Sequence, residues 1–117
     1  MVKLESLKKS SQFQKTLKEK KVHSEFFSIF AAKNFYKPKY KMDLLISFVM
    51  KKKIGNAVKR NKIRRKLKAI VQKLLKKRGA ISKDYTYIVF GKSNAYLQKQ
   101  STLMPLMEKS FNAIKIK

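Results

Sequence analysis

The stretch from Lys51 to Gly79 limits what this chain can become more than any other: Lys-Lys-Lys-Ile-Gly-Asn-Ala-Val-Lys-Arg-Asn-Lys-Ile-Arg-Arg-Lys-Leu-Lys-Ala-Ile-Val-Gln-Lys-Leu-Leu-Lys-Lys-Arg-Gly. It reads as a helix with punctuation at both ends. Asn56 is a good N-cap, because its side-chain oxygen can accept from the free amides of the first turn. Gly79 suits the left-handed position just past a helix C-terminus. Between them Ile63, Leu67, Ile70 and Leu74 recur by four, three and four, forming one apolar stripe that must pack on something. Asn61, Arg65, Lys68 and Gln72 take the opposite face at the same spacing, with Arg64 flanking them.

The charge on this helix does not serve the helix. Lys59 and Arg60 fall in its first turn, at the positive end of the dipole, where cations are unfavourable by the same ~0.3–1 kcal/mol that acids would gain. An external polyanion accounts for them. The plainer alternative is a solvated face in a lysine-rich protein. The Asn and Arg residues among the lysines favour the polyanion, since a guanidinium grips phosphate in a bidentate fork.

Composition points the same way. Lys plus Arg number 31 against six Asp plus Glu, a formal net charge of +25 over 117 residues. Such an excess calls for an acidic partner, nucleic acid first and an anionic membrane surface second. Hydrophobic residues make up 44 %, too many for a disordered basic tail. The length suits one domain spanning 1–117, with residues 1–10 loosely ordered and Leu4 and Leu7 as anchors. No apolar run approaches the ~20 residues of a membrane span, and the N-terminus lacks the apolar core of a secretory signal. Cysteine is absent, which removes disulfides and thiolate chemistry. A cytoplasmic location is the simplest expectation.

Along the chain, Ser11-Gln-Phe-Gln14 has the form of a capping box opening a short helix to about Lys20 or Lys21. Phe13 and Leu17 share one face of it, either as core or as an apolar ledge beside a basic groove. Ser24 to Ala32 suits a strand, with Phe26, Ser28 and Phe30 on one side and Phe27, Ile29 and Ala31 on the other. Lys33 to Lys41 reads as a polar hairpin loop; its Tyr36 and Tyr40 are equally well exposed stackers or incidental. Leu44 to Met50 is a near-continuous apolar run fit for a central strand. Asp84 to Phe90 is a further strand, closed by Gly91. From Thr102 a last helix buries Leu103, Met107, Phe111 and Ile114, with Pro105 tolerated in its first turn.

Residues that could break a bond are scarce. Hydrolysis by the protein alone needs a nucleophile with a base, paired carboxylates or a metal site. Glu5, Glu19, Glu25, Asp43, Asp84 and Glu108 show no pairing at helical or strand spacing. His23 is the only histidine and reads as an unpartnered surface residue. No glycine-rich phosphate loop is present.

Lys52-Lys-Ile-Gly-Asn-Ala-Val-Lys-Arg-Asn-Lys-Ile-Arg-Arg65 closely resembles the signature of the bacterial ribonuclease P protein component, whose core is Arg-Asn, two residues, then a basic residue and Arg. The match is gap-free, and the order of elements around it extends the resemblance over nearly the whole chain. The fold it implies is a small single-domain α+β two-layer sandwich. Its order is helix, strands, long helix, strand, helix around a central, mostly antiparallel sheet, with an unusual left-handed βαβ crossover. The function it implies is a protein subunit that binds the catalytic RNA and the 5′ leader of precursor tRNA, and assists removal of that leader. In that family the RNA and its Mg2+ ions do the chemistry. The resemblance therefore implies no catalytic residue, no metal site and no cofactor in the protein, no membrane and no small-molecule substrate. It assigns Lys52, Lys53, Asn56, Arg60, Asn61, Lys62, Arg64, Arg65 and Lys68 to the catalytic RNA. To a cleft for the single-stranded leader it assigns Phe13, Leu17 and either Ile29 or Phe30. The last signature position, often Arg in the family, is Lys68 here, and Leu17 stands where a second aromatic is often found. Three other classes share some of these features. A ribosomal protein or RNA chaperone shares the charge without needing an apolar cleft. A DNA-binding helix lacks a helix-turn-helix partner here. A membrane-surface helix conflicts with the need to bury the apolar stripe.

Overall fold

In the computed structural model the apolar stripe of the long helix lands on a sheet. The structure describes residues 4–33, 44–77 and 79–116. In chain order the elements are β1 (Leu4–Glu5), α1 (Ser10–Lys18), β2 (Lys20–His23), β3 (Phe27–Lys33), β4 (Leu44–Val49), α2 (Ala57–Leu74), β5 (Tyr85–Gly91) and α3 (Gln100–Ile116). Single 3-10 turns occur at Lys52–Ile54 and Ser93–Ala95.

The sheet is mixed, with strand order β1-β4-β5-β3-β2. Strands β4 and β5 are parallel neighbours joined through α2, while β3 runs antiparallel to both β5 and β2. The antiparallel pairings carry most of the register. The seven-residue ladder from Phe27↔Gly91 to Lys33↔Tyr85 is the longest.

Because strand side chains alternate, each face has its own residues. Phe27, Ile29 and Ala31 of β3, Leu44 and Ile46 of β4, and Tyr87 and Val89 of β5 form one buried cluster with the helices. Ile63, Leu67, Ile70 and Leu74 meet them from α2, and Leu103, Met107, Phe111 and Ile114 from α3. Each such side chain contributes about 1.5–3 kcal/mol when fully buried. The other face carries Ser28 and Phe30 opposite Phe90 and Ile88. Helix α1 packs on this face, beside β3 and β5.

Both helices on the first face follow from their expected stripes, but boundaries shift. In α2, Asn56 Oδ1 accepts from Lys59 N at 2.9 Å, as an N-cap should. Regular helix ends at Leu74, and a turn then leads to Gly79 at φ +78°, so the glycine sits several residues past the end rather than next to it. Gly55, at φ +152°, turns the chain from the 3-10 segment into α2. Helix α3 opens two residues before Thr102, which moves Pro105 out of the first turn into its interior. Ser101, whose carbonyl the missing N–H would have met, is exposed to solvent.

The N-terminal third departs further from expectation. The cap of α1 is built by Gln12, not by Ser11 and Gln14: Gln12 Oε1 accepts from Lys8 N at 2.9 Å and Lys9 N at 3.0 Å. The helix stops at Lys18 because the next residues pair as β2, a strand hidden within Lys20–His23. A turn closed by Ser24 then starts β3 at Phe27, later than Ser24. Residues 4–9 are not loose. Leu4 and Glu5 pair in parallel with Leu44 and Leu45, and buried Leu7 donates its amide to Ser47 Oγ at 2.8 Å. Tyr36 and Tyr40 lie outside the described residues.

Gly91 ends β5 against Met50 and the Ile63 side chain of α2. A Cβ there would run into Met50 Sδ and stand 2.9 Å from Ile63 Cγ2. Overpacking at such a point costs about 1–3 kcal/mol. Gly91→Ala is therefore expected to destabilise the fold by about 1–3 kcal/mol, read as a lower urea midpoint at an unchanged m value; an unaltered midpoint would show that Met50 yields freely.

Candidate nucleic-acid interface

Helix α2 presents its second face outward. Asn61, Arg65, Lys68 and Gln72 are all solvent-exposed, opposite the buried stripe. Asn61 organises the arginines around it. Its Oδ1 accepts from Arg64 Nη1 at 2.7 Å, and its carbonyl from Arg65 Nε at 3.4 Å. Arg60 and Arg64 are half-buried on the flank. Arg60 Nε is buried with no hydrogen-bond acceptor among the described residues, so this guanidinium has donor capacity that the fold does not use. Lys52 and Lys53 are exposed on the 3-10 turn just before α2. Asn56 is exposed at the cap, and its side-chain oxygen is engaged by the Lys59 amide. Lys62 is exposed with its Nζ 4.8 Å from the Tyr96 ring centroid. Of the nine residues assigned to the catalytic RNA, seven are exposed on α2 or its entry turn, and Arg60 and Arg64 are half-buried on the flank.

A second feature opens on the α1 face of the sheet. It is an open cleft of ≈ 720 Å³ floored by Phe30 and Phe90, with Leu17 on one wall and Lys51, Lys53 and Lys92 around it. The Phe30 and Phe90 rings meet edge to face, with centroids 5.4 Å apart. His23 adds an edge contact to Phe30 at 5.8 Å. Lys51 Nζ lies 5.6 Å from the centroid of Phe90. An apolar aromatic floor with ammonium groups at its margin fits a base with its phosphate.

The candidates for the cleft, Phe13, Leu17 and either Ile29 or Phe30, separate. Phe30 is on the floor and Leu17, 37 % exposed, is on the wall. Ile29 is not a cleft residue. It is 0 % exposed, pairs with Val89 and points into the helix-covered core, because neighbours along a strand take opposite faces. Phe13 is half-buried on α1, one turn before Leu17, and does not line the cleft. His23 is exposed, yet it is not unpartnered: its Nδ1 lies 2.7 Å from Ser28 Oγ.

Sequence reasoning missed Phe90, Lys51 and Lys92. For Phe90 the signal was present, since Thr86, Ile88 and Phe90 alternate with the core residues Tyr87 and Val89. For Lys92 nothing marked it among so many lysines. Lys66 was also missed. Its Nζ donates to the carbonyls of Ala95 at 3.1 Å, Tyr96 at 2.8 Å and Gln98 at 2.6 Å, fixing the loop after β5 against α2. Desolvation, and then the nearby charge of Lys62, push its pKa below the ordinary lysine value.

An arginine and asparagine row on a helix, beside an aromatic cleft edged with lysines in a chain of net charge +25, defines a basic RNA-binding α+β domain. The ribonuclease P family profile matches residues 1–115, so the chain belongs to the ribonuclease P protein family. That membership makes it a component of ribonuclease P, acting in tRNA processing. The ribonuclease P protein component of Mycoplasma capricolum subsp. capricolum is 31 % identical over 109 residues, covering 93 % of this chain and 94 % of the relative. The corresponding protein of Mycoplasma mycoides subsp. mycoides is 32 % identical over the same shares. Among solved structures, the Staphylococcus aureus RNase P protein superposes with a TM-score of 0.71 at 25 % identity, covering 95 % of each chain. The Thermotoga maritima protein shares the fold, with a TM-score of 0.67 at 24 % identity over 97 % of each chain.

Proposed function

We propose that this chain is the non-catalytic protein subunit of ribonuclease P, holding the catalytic RNA on α2 and the 5′ leader of precursor tRNA in the aromatic cleft. The observation that carries the reading is the division of α2. Its apolar stripe is spent on the sheet, while Asn61, Arg65 and Lys68 are left to solvent at helical spacing. Arg forks and lysine points neutralise RNA phosphates there. Asn61 presets Arg64 by a hydrogen bond, which lowers the entropy lost when the guanidinium meets its phosphate.

The cleft takes a different class of RNA. Phe30 and Phe90 offer ring faces and edges, which need unstacked bases, and a leader is unpaired. Stacking of this kind is worth ~1–3 kcal/mol per base and tolerates any sequence. Lys51, Lys53 and Lys92 take the accompanying phosphates.

Bond breaking is assigned to the RNA. Among the described residues no three His, Asp or Glu side chains are grouped to hold a metal ion. In this reading any Mg2+ would be held by the RNA subunit and would there supply water activation, while this chain's own residues position and neutralise the RNA. No helix among the described residues is long and apolar enough to cross a membrane.

Three outcomes test the reading. Combined with a bacterial ribonuclease P RNA at low magnesium, the protein should stimulate precursor tRNA cleavage and show none without the RNA; cleavage by the RNA-free protein would overturn it. Arg65→Ala should weaken catalytic-RNA binding and reduce the slope of log affinity against log salt by about one. An unchanged slope removes Arg65 from the contact. Phe30→Ala should reduce the preference for leader-bearing over mature tRNA by about five-fold or more, the loss of one stacked base. Retained preference in a folded variant would take the leader out of the cleft.

A further inference from the structure

A second open cavity, of ≈ 760 Å³, lies beyond the rim of the aromatic cleft. Glu25, Lys59, Lys92, Ser93, Tyr96 and Leu97 line it. Two of these residues, Lys92 and Ser93, also line the first cleft, so the two spaces share a wall. Across this saddle Lys59 Nζ donates to Ser93 Oγ at 2.9 Å.

The far side is built rather than incidental. Lys66 pins the backbone of residues 95–98 through three carbonyls, which fixes the Tyr96–Leu97 loop beside α2. Tyr96 then carries two ammonium groups over its ring, Lys59 at 5.3 Å and Lys62 at 4.8 Å. Leu97 stands next to it 85 % exposed, an apolar surface with no packing role. Cations flanking an aromatic ring and a bare aliphatic side chain repeat the chemistry of the first cleft.

We propose that this cavity is a second subsite for unpaired RNA, taking leader nucleotides that continue past the Phe30–Phe90 floor over the Lys92–Ser93 saddle. The inference rests on the leader occupying the first cleft. Continuity of the shared wall favours the leader over the catalytic RNA as occupant. So does the apolar surface at Leu97, which suits an unstacked base and does nothing for duplex phosphates. A phosphate crossing the saddle meets Lys59 and Lys92. The following base lies against Leu97 and the edge of Tyr96, with the Glu25 carboxylate at the margin as an acceptor for base amino groups.

The test uses the holoenzyme with precursor tRNAs whose leaders lengthen one nucleotide at a time. In the native protein affinity should rise in two stages, as the strand fills the first cleft and then reaches the second. Leu97→Ser and Tyr96→Ala should each remove the second stage, a loss of about five-fold in long-leader affinity. In Leu97→Ser the short-leader affinity and the dissociation constant for the catalytic RNA should stay as they were. Leu97→Ser touches no packed residue, so its result does not depend on tolerance of the fold to Tyr96→Ala. A native profile with one stage only, or variants that keep both stages, would overturn the subsite. Weakened catalytic-RNA binding with an intact second stage would overturn it too, by giving the cavity to that RNA. A native holoenzyme indifferent to any leader would overturn the cleft assignment itself, a distinct result.

Discussion

The contact between the α2 stripe and the sheet is the constraint on which the rest depends. Ile63, Leu67, Ile70 and Leu74 are completely buried against β-strand residues that include Ile46, Tyr87 and Val89. That seam fixes the rotation of the helix about its own axis. Once rotation is fixed, residues at the complementary spacing have one direction left, outward, and these are Asn61, Arg65 and Lys68. The flanks are fixed with it. Arg60 and Arg64 fall toward one side, and Lys59, Lys62 and Lys66 toward the loop after β5. A rotation of one residue, about 100° on a helical wheel, would bury charge and expose apolar surface together, so the outward row is stabilised by the core and not by its own contacts.

The same seam couples the exposed α2 row to the aromatic cleft. Strand β4 leads through the turn at Lys52–Ile54 into α2, and α2 returns to β5 beside β4. The turn that starts the helix therefore sits next to the end of β5. Lys51 and Lys53 reach the cleft from that turn, and Lys59 reaches Ser93 from the first helical turn. Parallel neighbours joined by a helix make this proximity unavoidable. The exposed α2 row and the aromatic cleft grow from adjacent ends of one unit, so under the proposed function the protein would register one RNA against the other without a moving part.

How much of this was legible in the sequence varied with the physics of each element. The α2 stripe and the α3 stripe were readable because helical period and burial agree over several turns. Strands β3, β4 and β5 were readable from apolar alternation or continuity. The exposed row was readable for the same reason as the stripe, being its complement. Strands β1 and β2 were not, because each is short and lies at a sheet edge where half the residues are charged. The boundary of α1 was misplaced because either Gln12 or Gln14 can close a capping box; the choice is made by Leu7, held at Ser47, which sets where the helix may begin. The choice between Ile29 and Phe30 required knowing which face α2 covers, and that is a property of the sheet rather than of the strand. Lys66 was invisible because its acceptors are backbone carbonyls about thirty residues away in the chain, and carbonyls leave no mark in a sequence.

The lysines also explain how a chain with so few acids folds at all. With 31 cationic side chains and six acidic ones, ion pairing cannot neutralise the surface. Backbone carbonyls serve instead at several points. Lys66 takes three of them, Lys20 donates to Ile114 O at 3.1 Å near the end of α3, and Lys92 donates to Ser24 O. A cation at the carbonyl end of a helix is favoured by the dipole as well as by the hydrogen bond. These contacts anchor individual lysines but leave the net charge in place, and mutual repulsion across the surface opposes the compact state. A polyanion bound to the folded form relieves that repulsion and stabilises the fold by mass action. Folding and RNA binding are therefore linked through the same charges: the residues that weaken the free domain are those that tighten its complex.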